Sequence, residues 1–198
     1  MTISASDVKT LRNQTGAGMM DCKRALEETN GNLEKAVTLL REKGIMAASK
    51  KSSREAKEGI IHTYIHPGSR IATMVEINCE TDFVARNESF QALAQDIAMQ
   101  IAATRPIAVD REQIDEAILE QEKEIYRNQA RNEGKPEQII EKIIQGRIEK
   151  FNQENCLLEQ PFIRDTDKTI RDLLTDAVGL LGENIMIRRF VRYELGGE

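Results

Sequence analysis

Glu80 and Asp82 are the residues best placed by type and spacing to do chemistry. They put two carboxylates within one turn, in the stretch Asn78 to Asn87, NCETDFVARN. Such a pair can act as general acid and base if its surroundings push the two pKa values apart. Acidic residues at the start of a helix more often cap it or complement its dipole, and a strongly helical run follows here. Beside Asp82 stands Phe83, a large apolar ring at an expected exposed junction. Phe83 lies outside the register of the following helix, so local pattern leaves it as either minor core or an exposed contact residue.

Other chemistries find less support. Gly16-Ala17-Gly18 begins like a dinucleotide-binding loop, but Asp21 stands where the third glycine belongs and no strand precedes it. There is no GxxxxGK[ST], GxSxG or HExxH, and no Cys-His pair with local support. Cys22, Cys79 and Cys156 are odd in number and widely spaced, which is neither a disulfide framework nor a CxxC site. His62 and His66, placed on one strand, stand about 13 Å apart, too far for one ion. No metal site and no cofactor is expected, and a non-catalytic protein fits better than an enzyme.

The 198 residues, 40% hydrophobic and 31% charged, suit a globular protein of one medium domain or of a small module plus a larger one. A net charge of -5 argues against a broad basic face for nucleic acid, and no direct nucleic-acid contact is expected. The local basic runs SKKSSREAK and IRRFVR read as a solvated linker and a sheet face. With no apolar run long enough to span a bilayer and no signal peptide at MTISASDVKT, no membrane association is expected. The expected location is the cytoplasm.

These residues need elements to hold them. Ser4 with Asp7 reads as a capping pair for a first helix carrying Val8 and Leu11. Thr15-Gly16-Ala17-Gly18 breaks it, and a second helix follows with Met19, Cys22 and Leu26 on one face. Met20 falls off that stripe, where a flexible thioether is either a partner contact or a scattered surface residue. Asn32 is the expected cap of a third helix, with Leu33, Ala36, Val37 and Leu40 facing inward and Gly44 ending it. Residues 46–57 read as a linker.

Two strands then span Gly59 to His66 and Arg70 to Cys79, with Pro67-Gly68 as the central pair of a type II turn. Asn87 caps a helix whose face is Phe90, Leu93, Ala94, Ile97 and Ile101. Asp110 with Gln113 leads into a helix with Ile114, Ala117, Ile118 and Ile125 inward. Pro136 opens another, through Ile140, Ile143, Ile144 and Phe151, and the two form a helical hairpin. CLLEQPFIRD reads as extended. Ile170, Leu173, Leu174, Ala177, Val178 and Leu181 mark a last helix stopped by Gly182, before a third strand with Ile185, Ile187, Val191, Tyr193 and Leu195 on one parity. The fold class expected is α+β: a three-helix module at 1–45, then an antiparallel three-stranded sheet packed with helices and a helical hairpin at 58–198.

Three separated segments, TGAGMMDCKRAL (Thr15–Leu26), NCETDFVARN (Asn78–Asn87) and GENIMIRRFVRYELGGE (Gly182–Glu198), resemble the elongation factor Ts family, in that family's order and across the chain. The resemblance implies a guanine nucleotide exchange factor for elongation factor Tu. It implies a ubiquitin-associated-like head docking on the GTPase domain through Arg12, Thr15, Gly16, Ala17, Gly18, Met19, Met20 and Lys23. It also implies a turn of Thr81, Asp82, Phe83 and Val84 that reaches toward the partner's magnesium and nucleotide phosphates, with the phenylalanine wedging between helices. Longer members of the family duplicate the sheet-forming unit, whereas this chain shows one, so pairing with a second copy as a homodimer is expected. If the chain is organelle-encoded, the organellar stroma or matrix replaces the cytoplasm. The three-helix head alone also admits a ubiquitin-binding or adaptor module, for which residues 1–45 would suffice.

Overall fold

Ser4 and Asn32 start two of the N-terminal helices as their side chains dictate. In the computed structural model, which describes residues 3–15 and 17–197, the Asp7 N–H donates to Ser4 Oγ at 3.1 Å and the Ser4 hydroxyl donates back to the Asp7 carboxylate at 2.7 Å. The Lys35 N–H donates to Asn32 Oδ1 at 2.9 Å. These caps satisfy amides that the first helical turn cannot. The helices are α1 (Ala5–Thr15), α2 (Met19–Glu28) and α3 (Leu33–Lys51). Val8, Leu11, Cys22, Ala25, Leu26 and Ala36 form their shared core, with Leu33, Val37 and Leu40 half-buried against it.

Helix α3 corrects one expectation: it does not end at Gly44 but runs through it to Lys51, so the expected boundary at residue 45 falls inside a helix. A glycine in a helix interior costs about 1 kcal/mol relative to alanine. Bonds made elsewhere along α3 offset that cost: Arg41 donates to Asp172 at 2.7 Å and Lys51 Nζ donates to the Val178 carbonyl at 3.3 Å.

Strands β1 (Glu58–Ile65) and β2 (Ile71–Cys79) form the expected hairpin. Its turn closes with the Ser69 N–H on the His66 carbonyl at 2.9 Å, and Gly68 takes the positive φ of +90° that a type II turn requires. Near the other end of the ladder, Gly59 has φ +143° and lies so close to β2 that a Cβ there would stand 2.1 Å from the Ile77 carbonyl oxygen. Strand β5 (Met186–Glu194) completes an antiparallel sheet in the order β1-β2-β5.

The chain divides into two compact units. One comprises Met1–His62, Val75–Asp96 and Asp172–Arg188. It holds the three N-terminal helices, the short α4 (Asp82–Ala85), the first half of α5 (Glu88–Thr104) and most of α8 (Ile170–Leu181). Asn87 caps α5 as expected, its Oδ1 accepting the Ser89 N–H at 2.8 Å, and Phe90, Leu93 and Ala94 are buried. Gly182, with φ +80°, ends α8.

The other unit comprises Thr63–Met74, Ile97–Arg171 and Arg189–Glu198. Its helical hairpin is α6 (Glu116–Asn132) against α7 (Glu137–Asn155), packed through Ala130, Ile140 and Ile144 with Tyr126, Ile143 and Ile148 around them. Asp110 and Gln113 cap only a 3-10 turn (Arg111–Gln113), and α6 begins later at Glu116, behind Asp115. Ile114 is buried outside the helix, so taking it as the origin of the helical phase puts the face one position out. Leu119, Tyr126 and Ala130 turn inward, and Ala117, Ile118 and Ile125 are exposed. Arg111 bridges Glu149 and Glu159. CLLEQPFIRD is not simply extended: it contains a 3-10 turn (Leu157–Glu159) and β3 (Pro161–Phe162), which pairs antiparallel with β4 (Asp165–Thr169). A buried polar side chain, Gln100, holds that hairpin by donating to the Pro161 carbonyl at 3.1 Å and accepting the Ile163 N–H at 2.9 Å.

Strand β5 departs from its expected parity. Ile185 and Ile187 are buried, but Arg188 and Arg189 are both exposed. Beyond them Phe190, Arg192 and Glu194 are half-buried while Val191, Tyr193 and Leu195 face outward. A slip of one residue sends each following side chain to the opposite face.

Candidate partner-binding site

Thr81 to Val84 sit where β2 ends and α4 begins. Thr81 has extended backbone and caps α4, its Oγ1 accepting the Val84 N–H at 3.4 Å. That cap turns the chain so that Asp82 starts the helix and Phe83 points outward. Phe83 is 80% exposed, which excludes the minor-core alternative. Asp82 is half-buried and accepts from Arg86 at 2.7 Å, while Val84 is half-buried. Ala85 is buried beneath the turn, and its carbonyl accepts from Gln91 Nε2 at 2.6 Å.

A four-residue helix cannot hold itself, because one turn fixes several residues for few hydrogen bonds. The restraint comes from Glu183. Its Oε2 accepts the Glu80 and Thr81 N–H groups at 3.0 Å each, and its Oε1 accepts the Thr81 hydroxyl at 2.6 Å. Glu80 answers in kind by accepting the Asn184 N–H at 2.6 Å. Asn184 Nδ2 donates to the Arg54 carbonyl at 2.8 Å, and Arg54 lies 3.5 Å from Glu80. Glu80 is therefore occupied as an acceptor in this clamp, which fits a structural carboxylate better than a catalytic one. Cys79 Sγ donates to the Thr81 carbonyl at 3.1 Å. Burial first, and then the Glu183 carboxylate, push that thiol up to about 11.

The second group of expected residues lies around the α1–α2 junction. Thr15 is half-buried and organises the loop: its hydroxyl donates to the Leu11 carbonyl at 2.8 Å and accepts the Ala17 N–H at 3.3 Å. Gly18 is the residue before α2 and is exposed, Ala17 is half-buried, and Arg12 and Lys23 are exposed. Gly16 lies outside the described residues. Met20 is 65% exposed. Met19 is also exposed, at 56%, which corrects its expected place on the buried stripe with Cys22 and Leu26. As the first residue of α2 it leans toward the helix N-terminus, where no preceding turn exists for it to cover. The result is two adjacent thioethers on the surface.

A third feature was not anticipated as a site. The His66 N–H donates to the Ile71 carbonyl and the Leu195 N–H to the Arg70 carbonyl. That register brings Ile65, Met74, Val191, Tyr193 and Leu195 to one face of the sheet, all exposed, with Tyr193 at 69% and Ile65 at 64%. The expectation that Val191, Tyr193 and Leu195 share a parity holds, but that parity faces outward.

Among the described residues no group of three or more His, Cys, Asp or Glu is arranged to hold a metal, and no helix is long and apolar enough to cross a membrane. His62 instead meets Gln95 at 2.8 Å, and His66 meets Tyr64 at 3.0 Å. Sequence reasoning singled out the turn and the methionines. It gives no sign of Glu183 and Asn184 as the turn's support, although both lie in GENIMIRRFVRYELGGE.

Comparison with known proteins points the same way over the whole chain. The family model described as Elongation factor TS matches residues 3–197. The Elongation factor Ts of Moorella thermoacetica is 59% identical over 194 residues, covering 98% of this chain and 96% of that protein. The Elongation factor Ts of Nitratidesulfovibrio vulgaris is 61% identical over 198 residues, covering 100% of this chain and 99% of that protein. The Elongation factor Ts of Desulforamulus reducens is 60% identical over 194 residues, or 98% and 89% of the two chains.

Proposed function

The chain belongs to the elongation factor Ts family and is a translation elongation factor, and from that premise we propose that it is the guanine nucleotide exchange factor of elongation factor Tu. It acts without catalysing a covalent step. The N-terminal module, residues 1–45 with the rest of α3 leading toward the sheet, docks on the GTPase domain through Arg12, Met19, Met20, Lys23 and the loop Thr15 to Gly18. Thr81, Asp82, Phe83 and Val84 approach the partner's magnesium and phosphates, and Phe83 wedges into the partner. The core at 58–198 carries the exchange turn and the dimer contact.

The observation that carries this reading is Phe83: a large apolar ring, 80% exposed, on a turn clamped by Glu183. Exchange requires tighter binding to the nucleotide-free partner than to the nucleotide-bound one, and by linkage each ligand then weakens the other. Magnesium demands near-ideal octahedral oxygens, so a small displacement of its neighbours costs much of its affinity. A pre-set apolar wedge is suited to make that displacement.

The outward sheet face supports a homodimer. An apolar face this continuous differs from the scattered exposure usual on a monomer, and a second copy would cover it. The protein works in the cytoplasm or in an organellar matrix, with neither nucleic acid nor membrane as direct partner.

The test is stopped-flow release of a fluorescent GDP analogue from elongation factor Tu, with this protein in catalytic amount. Acceleration through many turnovers supports exchange. Release at the intrinsic rate sinks it. Activity in residues 1–45 alone would favour the adaptor reading instead.

A further inference from the structure

The clamp around the exchange turn has a polarity that the exchange reading alone does not require. Glu183 offers both carboxylate oxygens to one short backbone segment, taking the Glu80 and Thr81 amides on Oε2 and the Thr81 hydroxyl on Oε1. Those groups belong to Glu80, the first residue after β2, and Thr81, the cap of α4, the two residues that set the direction in which α4 leaves the sheet. Asn184 closes the loop through Glu80 and Arg54. Neither Glu183 nor Asn184 presents a group outward as Phe83 does: Asn184 is buried and Glu183 half-buried.

We infer that Glu183 is a positioning residue for nucleotide exchange, holding the Thr81 turn so that Phe83 is presented in its working orientation before the partner arrives. This rests on the exchange reading above. Without Glu183, two backbone amides and a hydroxyl lose their shared acceptor, and water replaces it at an exposed turn. The chain can then fold with α4 able to swing. An encounter with the partner must first order that turn, a cost that pre-organisation removes. Wider docking through the N-terminal module is untouched. The loss therefore falls on the maximal rate of nucleotide release rather than on the concentration needed for half-saturation.

The geometry also ranks the variants. Glu183→Ala removes all three bonds. Glu183→Asp keeps the charge, but its carboxylate is one methylene, about 1.5 Å, short of the turn. Glu183→Gln keeps the length and one oxygen for the two amides, and its amide nitrogen can donate to Thr81 Oγ1. Reach and hydrogen bonding, not charge, should decide activity.

The experiment is the stopped-flow assay on the full chain, titrated to saturation, with Glu183→Ala, Glu183→Asp, Glu183→Gln, Phe83→Ala and the double variant Glu183→Ala/Phe83→Ala. Urea midpoints identify which variants fold. The expected result is a maximal release rate lowered about tenfold in Glu183→Ala and Glu183→Asp, within the one to two decades available to Phe83 itself. Half-saturation shifts by less than about twofold, and Glu183→Gln stays within about threefold of wild type. In the Phe83→Ala background the Glu183→Ala change slows release by clearly less than it does in wild type, because the main group it positions is already gone. If Glu183→Ala does not fold, Glu183→Asp carries the same comparison. Wild-type rates in folded Ala and Asp variants overturn the inference and leave exchange standing, as does full additivity with Phe83→Ala. A wild-type protein that releases no nucleotide overturns the exchange reading and this inference with it.

Discussion

Replacing Phe83 with alanine should separate function from folding. Burying a whole phenylalanine side chain contributes roughly 1.5–3 kcal/mol. With Phe83 80% exposed in the free protein, about four-fifths of that is still to be gained on docking, or about 1.2–2.4 kcal/mol. At about 1.4 kcal/mol per tenfold, release of nucleotide from the partner should slow by nearly one decade at the low end and nearly two at the high end. The same exposure means little folding energy is lost: surface substitutions of this kind stay within about 0.5 kcal/mol. Stopped-flow release at saturating protein gives the first quantity and urea denaturation the second. A variant that exchanges at the wild-type rate refutes the wedge. A variant that loses several kcal/mol of stability refutes the premise that the ring is idle in the free protein.

Gly59→Ala should destabilise the fold by at least about 2 kcal/mol, since φ +143° is strained for alanine and the new Cβ meets the Ile77 carbonyl; urea midpoints check it, and an unchanged midpoint would show that the two strands part easily there. Burial, with nearby carboxylates behind it, pushes the Cys79 and Cys156 thiols up to about 11 from an ordinary value of 9.0. The fold thus holds these protons more tightly than the unfolded chain does: the contribution is fully present below about pH 9 and is lost as pH rises through about 11. Stability measured across that window should fall, and both thiols should alkylate far more slowly at pH 8 in the native protein than in urea. If a second copy covers the outward sheet face as proposed, wild type sediments as a dimer and Tyr193→Asp as a monomer with the far-ultraviolet spectrum intact; a monomeric wild type would refute the dimer, and an unaltered dimer would move the interface elsewhere.

Much of the fold is written locally. The stripe of Phe90, Leu93, Ala94, Ile97 and Ile101 is apolar at helical spacing and is buried. Asn32, Asn87 and Pro67-Gly68 announce their caps and turn by residue type. What failed to show was set by distant partners or by phase. Gly44 looks like a helix end until the bonds from Arg41 and Lys51 to residues far along the chain are known. The α6 face lies one position from its expected phase because Ile114 precedes the helix, and the β5 parity fails because burial changes sides at the pair Arg188–Arg189. At the site, Phe83 was conspicuous because no helix register claimed it. Glu183 was not, because a hydrogen bond to a residue 102 positions away leaves no periodicity to read.

That separation has a consequence for how the protein comes into being. At about 5–20 residues per second of synthesis, the turn at Thr81 emerges about 5–20 s before the side chain that clamps it. Strand β5 must likewise travel back to β2, as the Arg188–Glu76 ion pair spanning 112 positions illustrates. Such non-local closure belongs to slow folding, in which loop entropy is lost before contacts compensate. A nascent chain therefore presents its head module and then the Thr81 turn before the Glu183 side chain exists to clamp that turn.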